Sequence, residues 1–349
     1  MIYWRLMLKK PGFKFILVLI ISFVFLYFFF RSVDWKEVFR HLVGVDLKFF
    51  ALMILLVPLH FLTRAIRWEV LLKHEKSSTS LYNRFAANAV GFTVTLIFPG
   101  RLGELIKPLY LAQKEDIRKG FTVGTVVIER IFDIFTMCFL IGLFLVAKPL
   151  YAPFFQVDDT AFQRLYFWGL AGFGIAFGLL IISLGLYFFR DKALKLVSFL
   201  ARIFPQKIRK SVLSLVDEFI EGLKFFHSVG DLLKYLLLSF VVWMGIIFYY
   251  WICFFAYNLK LSYFLICPYV FLILVGASIP TPGMVGGFDY FSKLGFTSLY
   301  HLDPSRAVGM TIVIHAVQVG VTCLIGYVIL WKEGLSLFQL KKLGENTEK

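Results

Sequence analysis

The chain has 349 residues, 59% of them hydrophobic and 19% aromatic, with 17% charged and a formal net charge of +15. A soluble domain carries roughly 25% charged residues, whereas here the apolar excess falls in blocks of about twenty, the length that spans a ~30 Å hydrocarbon core. That distribution excludes a separate soluble domain. Because the basic residues sit between apolar blocks, not on one face or in one tail, it also excludes a nucleic-acid partner.

In chain order, Arg5, Lys9, Lys10 and Lys14 precede an apolar run from Phe15 to Phe30 that lacks a small-residue cleavage pattern. A retained first helix is expected instead of a signal peptide. Apolar blocks then predict spans at about 14–31, 48–68, 121–147, 165–189, 235–257 and 306–331,. Two further regions, 85–112 and 262–300, are broken near their middles by Phe98-Pro99-Gly100 and by Pro280-Thr281-Pro282-Gly283. Proline and glycine together interrupt a helix. The thirteen residues from Ala86 to Phe98 make only ~20 Å of helix, too little to cross,. Both regions are therefore expected to be re-entrant hairpins.

The charges fit that layout. Of the 37 Lys and Arg, 25 fall on the side of the N-terminus, eight on the other side, and Arg101, Lys107, Arg130 and Lys293 inside the membrane. The positive-inside rule then makes the chain a multi-pass protein of the cytoplasmic membrane with both termini cytoplasmic. The expected fold class is an all-α membrane protein, a single transmembrane domain over 1–349 with six spanning helices and two re-entrant broken-helix hairpins. Residues 14–147 and 165–331 have the same order of spans and hairpin from opposite sides, the pattern of an inverted-topology repeat. The polar stretch 190–234 reads as a basic amphipathic connector on the cytoplasmic face, with Leu194, Val197, Leu200 and Ala201 on one side,. Asp158 and Asp159 are expected at a solvated outer surface. The four cysteines, Cys138, Cys253, Cys267 and Cys323, lie in apolar blocks without metal or disulfide spacing,.

A charge inside a span costs about 2.5–3.5 kcal/mol on insertion scales, so each must be paired or line a wet cavity. Glu104 lies three residues from both Arg101 and Lys107, and Glu129 and Asp133 share a helix face around Arg130,. If hairpin and span pack together, Arg101 can meet Glu129 or Asp133, and Arg130 can meet Glu104. These groups could be structural ion pairs, a headgroup site, or both. A helix starting after Gly100 would also aim its N–H groups at the midplane. In the second hairpin Asp289 and Lys293 are four apart, and Gly286 and Gly287 permit close backbone approach,. On the last span Thr311, His315, Gln318 and Thr322 form one polar stripe. Pro99, Gly100, Pro280, Pro282 and Gly283 mark the hairpin tips.

With Pro99-Gly100-Arg101-Leu102-Gly103-Glu104, Glu129-Arg130-Ile131-Phe132-Asp133, and Pro282-Gly283 followed by a glycine-rich turn and an acid, the sequence resembles the lysylphosphatidylglycerol synthase transmembrane region, a flippase-like family that includes UPF0104-type membrane proteins. The resemblance covers essentially the whole chain. In the best understood members it implies a lipid flippase fused to a soluble aminoacyl transferase. Here about 18 residues follow the last span, so lysyl transfer is not expected. The second motif, Pro-Gly-Met-Val-Gly-Gly-Phe-Asp, departs from the commoner Pro-Gly-Gly-Leu-Gly form. Stand-alone relatives are linked to glycolipid, polyprenyl-linked and hopanoid pathways.

The expected function is movement of a polar or anionic lipid between leaflets, with membrane lipids, anionic or glycosylated, as partners. Substrate binding is assigned to Arg101, Glu104, Lys107, Glu129, Arg130, Asp133, Asp289, His315 and Gln318. Two alternatives stand beside it: a non-transporting scaffold for a lipid-modifying enzyme that uses 190–234, and an intramembrane enzyme of lipid or lipid-linked glycan metabolism with Glu104 or His315 as acid or base. No HExxH or GxSxG arrangement is present, and no catalytic residue, metal or cofactor is expected,.

Overall fold

Aspartates decide where several helices begin. Asp34, Asp46 and Asp303 each stand one residue ahead of a helix and accept the backbone N–H two residues on, which satisfies one of the orphan donors at a helix start. The computed structural model describes residues 11–31, 33–151, 189–200 and 229–336, with scattered residues between 163 and 185 and residues 213 and 217. Asp158 and Asp159, about half of the span expected at 165–189, and most of the 190–234 connector lie outside the described residues.

Every element among the described residues is helical. In chain order they are α1 (Pro11–Phe30), α2 (Trp35–Val43), α3 (Leu47–Leu72), α4 (Leu81–Ile97), α5 (Gly103–Glu115), α6 (Lys119–Val146), α7 (Lys148–Tyr151), α8 (Arg190–Leu200), α9 (Val229–Phe255), α10 (Cys267–Ser278), α11 (Gly287–Tyr300) and α12 (Pro304–Lys332). Among them α3, α9 and α12 are long and apolar enough to cross a membrane. Helix α6 is of similar length, 28 residues, but carries Glu129, Arg130 and Asp133. Helix α2 was not expected in the segment between the first two spans. It buries Val38 against Phe29 and Val308 and leaves Trp35, Phe39 and Val43, one residue per turn, exposed on one face,.

Two helical hairpins, α4–α5 and α10–α11, are built alike. Each turns through a short 3-10 segment, Pro99–Arg101 in the first and Pro282–Met284 in the second. Gly100 and Gly283 have φ of 80° and 63°, and the residues after them, Arg101 and Met284, also adopt positive φ. A non-glycine residue in the left-handed region costs roughly 1–2 kcal/mol, so the surroundings must hold both tips in place. Close backbone contact joins the arms. A Cβ on Gly103 would lie 1.8 Å from the Gly91 carbonyl oxygen, and one on Gly276 would lie 2.5 Å from that of Gly287. Helix α4 begins at Leu81, capped by Ser80, so this arm has 17 residues. At ~25 Å it is longer than expected but still short of the ~30 Å core.

The base of the first hairpin is tied by Glu115. Its carboxylate accepts from Lys76 Nζ at 2.8 Å, the Ser80 N–H at 2.9 Å and Asn83 Nδ2 at 2.6 Å. Burial alone would raise its pKa, but these donors prevail and hold it below the usual carboxylate value,. A lowered folded-state pKa contributes stability that is complete above the unfolded value of about 4.3 and is lost as pH falls through the folded one. Thermal unfolding followed from pH 7 downward should show this loss in the wild type and a smaller one in Glu115→Gln.

Candidate functional site

Helix α3 continues to Leu72, a turn beyond the apolar block that predicts it. Arg64 and Arg67, which the charge count assigns to the cytoplasmic side although the span predicted at 48–68 contains them, are inside the protein with 4% and 0% exposure. Arg84, assigned to the same side, is also buried and pairs with Glu69 at 3.0 Å.

Arg64 and Arg67 meet the acids of α6. Asp133 accepts from Arg67 at 2.6 Å, Arg64 at 3.2 Å and Trp243 Nε1 at 3.2 Å, and lies 3.4 Å from Arg130. Glu129 pairs with Arg67 at 3.4 Å and with Lys107. Lys107 lies 4.3 Å over the Trp68 ring, and Trp68 Nε1 donates to Thr125 at 2.8 Å. Arg130 reaches Glu104 at 3.4 Å, both half-buried.

The buried part of the cluster is therefore unbalanced. Three buried bases, Arg64, Arg67 and Lys107, face two buried acids, Glu129 and Asp133, and the Arg130–Glu104 pair adds nothing net. Because buried ions are stabilised chiefly by their partners, one positive charge is left in excess. Arg64 carries it to the surface of a cavity.

That cavity, about 210 Å³, is enclosed by α3, α4, α9, α10 and α12. Phe92 and Leu96 line it from α4, Ile273 and Ala277 from α10, and Met284 from the second tip. Its polar wall is His60 and Arg64 on one side and Tyr250, His315 and Gln318 on the other. Arg64 Nε donates to His60 Nε2 at 2.9 Å, and Gln318 donates to Tyr250 Oη at 2.7 Å. His315 touches Asp289 through Nδ1 at 2.7 Å and the Gly283 carbonyl through Nε2 at 2.8 Å. The stripe on α12 divides accordingly. His315, Gln318 and Thr322 line the cavity, while Thr311 bonds to Ser292 at 2.7 Å.

Two expected pairings differ. Arg101 does not meet Glu129 or Asp133. Its positive φ turns the guanidinium to the Ala277 carbonyl, where a cation caps the C-terminal end of α10 and links the two hairpins,. Asp289 does not pair with Lys293. At the third position of α11 it bends back to accept the Gly286 N–H at 2.8 Å and meets His315. Lys293 instead caps the end of α1, donating to the carbonyls of Phe28, Phe29 and Arg31 at 3.3, 2.8 and 3.0 Å respectively.

Sequence reasoning missed His60, Arg64, Arg67, Trp243 and Tyr250. The signal for the first three was present, since they recur at helical spacing on α3. Among the described residues no group of three or more His, Cys, Asp or Glu is placed to hold a metal ion.

Comparison with known proteins then decides the family. Residues 15–326 match the lysylphosphatidylglycerol synthase TM region. The chain belongs to this family. It is also 24% identical over 334 residues to the UPF0104 membrane protein MJ1595 of Methanocaldococcus jannaschii, an alignment that covers 93% of this chain and 96% of the relative. Within this lysylphosphatidylglycerol synthase TM-region protein, the matched residues include both hairpins and every side chain of the charged cluster.

Proposed function

We propose that this membrane protein moves an anionic lipid between leaflets, its headgroup entering the cavity between the hairpin tips while the acyl chains stay in lipid. The observation that carries this reading is the excess positive charge that Arg64 brings to the cavity wall. Asp133 is shared with Arg67 and Arg130, so Arg64 retains charge for a phosphate or carboxylate,. The mostly apolar remainder of the wall suits a ligand that arrives from a bilayer,.

In this proposal the chain has six spans and two re-entrant hairpins in the cytoplasmic membrane, with both termini cytoplasmic. The hairpins belong to inverted repeats that rock about the cavity. Their shared construction supports the repeat: a Pro-Gly tip, paired positive φ and glycine-to-glycine arms.

Charge counting gives a direct test. Arg64→Gln leaves Arg67 and Lys107 balanced against Asp133 and Glu129, so it should remain folded. Native mass spectrometry of the gently purified protein should find phosphatidylglycerol retained over phosphatidylcholine, and at least about tenfold less of it in Arg64→Gln, since a charge-assisted contact is worth about 1.5–3 kcal/mol. Mixed bulk lipids unchanged by this substitution would make the cluster a structural lock and remove the transport reading.

A further inference from the structure

We infer that Asp289 and His315 form a proton-binding site, and that the protein binds one proton together with its anionic headgroup. This rests on the headgroup reading above. The inference comes from the number of hydrogens the site needs. The Gly283 carbonyl can only accept, so His315 Nε2, 2.8 Å away, must carry a hydrogen,. His315 Nδ1 and Asp289 Oδ1, 2.7 Å apart, need a second hydrogen between them. The other carboxylate oxygen already accepts the Gly286 N–H at 2.8 Å. Two hydrogens on the imidazole–carboxylic pair satisfy every contact and leave the pair neutral overall.

Removing one proton breaks this arrangement. The imidazole then has a single N–H, which satisfies either Asp289 or Gly283. The other contact becomes one between two acceptors, and the pair carries a net charge of −1. The Gly283 contact holds the tip of the second hairpin, where Gly283 and Met284 have positive φ, so proton release loosens that tip from α12. The described conformation is the protonated one.

The surroundings set the sign of the coupling. From α3, His60 and Arg64 face the same cavity, and His60 Nε2 is occupied as an acceptor from Arg64. From α9 come Tyr249 and Tyr250, and from α12 Gln318. Helices α4 and α10 contribute apolar groups, among them Phe92, Leu96 and Ile273. On the far side of the pair, α1 brings the Ser22 carbonyl and Phe25 to Gly286. Lys293, one turn along α11, is held by carbonyls at the end of α1. On α2, His41 packs against Gly309, six residues before His315. Arg64 is thus the cation across the cavity. A deprotonated pair would compete with a headgroup for it, whereas a protonated pair leaves it free. Proton and anion therefore bind cooperatively, and by linkage each raises the affinity for the other.

The test is calorimetric binding of dihexanoyl phosphatidylglycerol to the full chain in neutral detergent, across about pH 5.5–8.5. Its phosphodiester keeps one charge throughout. Repeating each titration in buffers of different ionisation enthalpy gives the protons taken up per lipid. We expect uptake approaching one proton and affinity falling about tenfold per pH unit on the alkaline side. Asp289→Asn supplies an amide that satisfies the same contacts without a titratable proton, and it should abolish both effects. His315→Gln removes the imidazole and serves the same purpose if Asp289→Asn is not recovered folded. Binding without proton uptake that is still lost in Arg64→Gln would overturn the proton site and leave the headgroup site standing. Uptake that persists in both variants but vanishes in His60→Gln would overturn the assignment to Asp289 and His315. Binding that is absent, or indifferent to Arg64→Gln, would overturn the headgroup reading and this inference with it.

Discussion

Asp133→Ala should cost about 3–5 kcal/mol and leave little folded protein, because removing one partner from a buried ion cluster strands the others. The Asp133 carboxylate receives Arg67, Arg64 and Trp243 and lies beside Arg130. Without it, three buried bases face Glu129 alone. Reversible unfolding in mixed micelles would measure the loss. Arg64→Gln, by contrast, should stay within about 1 kcal/mol of wild type, the scale of an ordinary hydrogen bond. The contrast separates the two roles of the cluster, since one member is needed for folding and another is free to bind. A wild-type unfolding midpoint in Asp133→Ala would show that the acids of α6 do not hold α3 in place.

The second large effect is expected at Gly103. Its added methyl in Gly103→Ala would lie 1.8 Å from the Gly91 carbonyl oxygen and 2.2 Å from Thr95 Oγ1. Backbone cannot give way cheaply, so the arms of the first hairpin must separate. Overpacking of this kind costs about 1–3 kcal/mol, and here it also displaces Lys107, whose Cβ lies against Gly91. Lys107 would then leave Glu129, and lipid retention should fall along with stability. Gly320→Ala is the matched control. A Cβ there meets nothing within 4 Å, and alanine is the better helix former by up to about 1 kcal/mol. Equal behaviour of the two variants in thermal unfolding would rule out close arm contact in the first hairpin.

The hairpin tips were legible in the sequence because proline and glycine act locally. Pro99-Gly100 and Pro282-Gly283 mark turns wherever the rest of the chain lies. The shared face of Glu129 and Asp133 was legible for a similar reason, since it follows from helical spacing alone. Their main partners were not. Arg64 and Arg67 stand near the end of an apolar block, where the positive-inside rule assigns bases to a loop, and only their pairing with the acids of α6 shows them to lie inside. Pairing between helices distant in sequence depends on which faces meet. Arg101 likewise needed a backbone angle, φ of 56°, to be turned toward the second hairpin. Asp289 looked like a partner for Lys293 by spacing, but its place in the first turn of α11 directs it toward Gly286 and His315.

The cap that Lys293 places on α1 has a consequence for how the chain could be divided. Helix α1 comes first in sequence, yet it packs against α11, and two of its last carbonyls and that of Arg31 just beyond are held by a lysine some 260 residues away, at separations of 262 to 265. Helix α2 likewise packs against α12. The parts that would travel together are therefore not the parts that were synthesised together. Two fragments cut in the 190–234 connector would each carry helices whose neighbours lie on the other, so their reassembly would resemble an exchange of arms more than the docking of two finished halves.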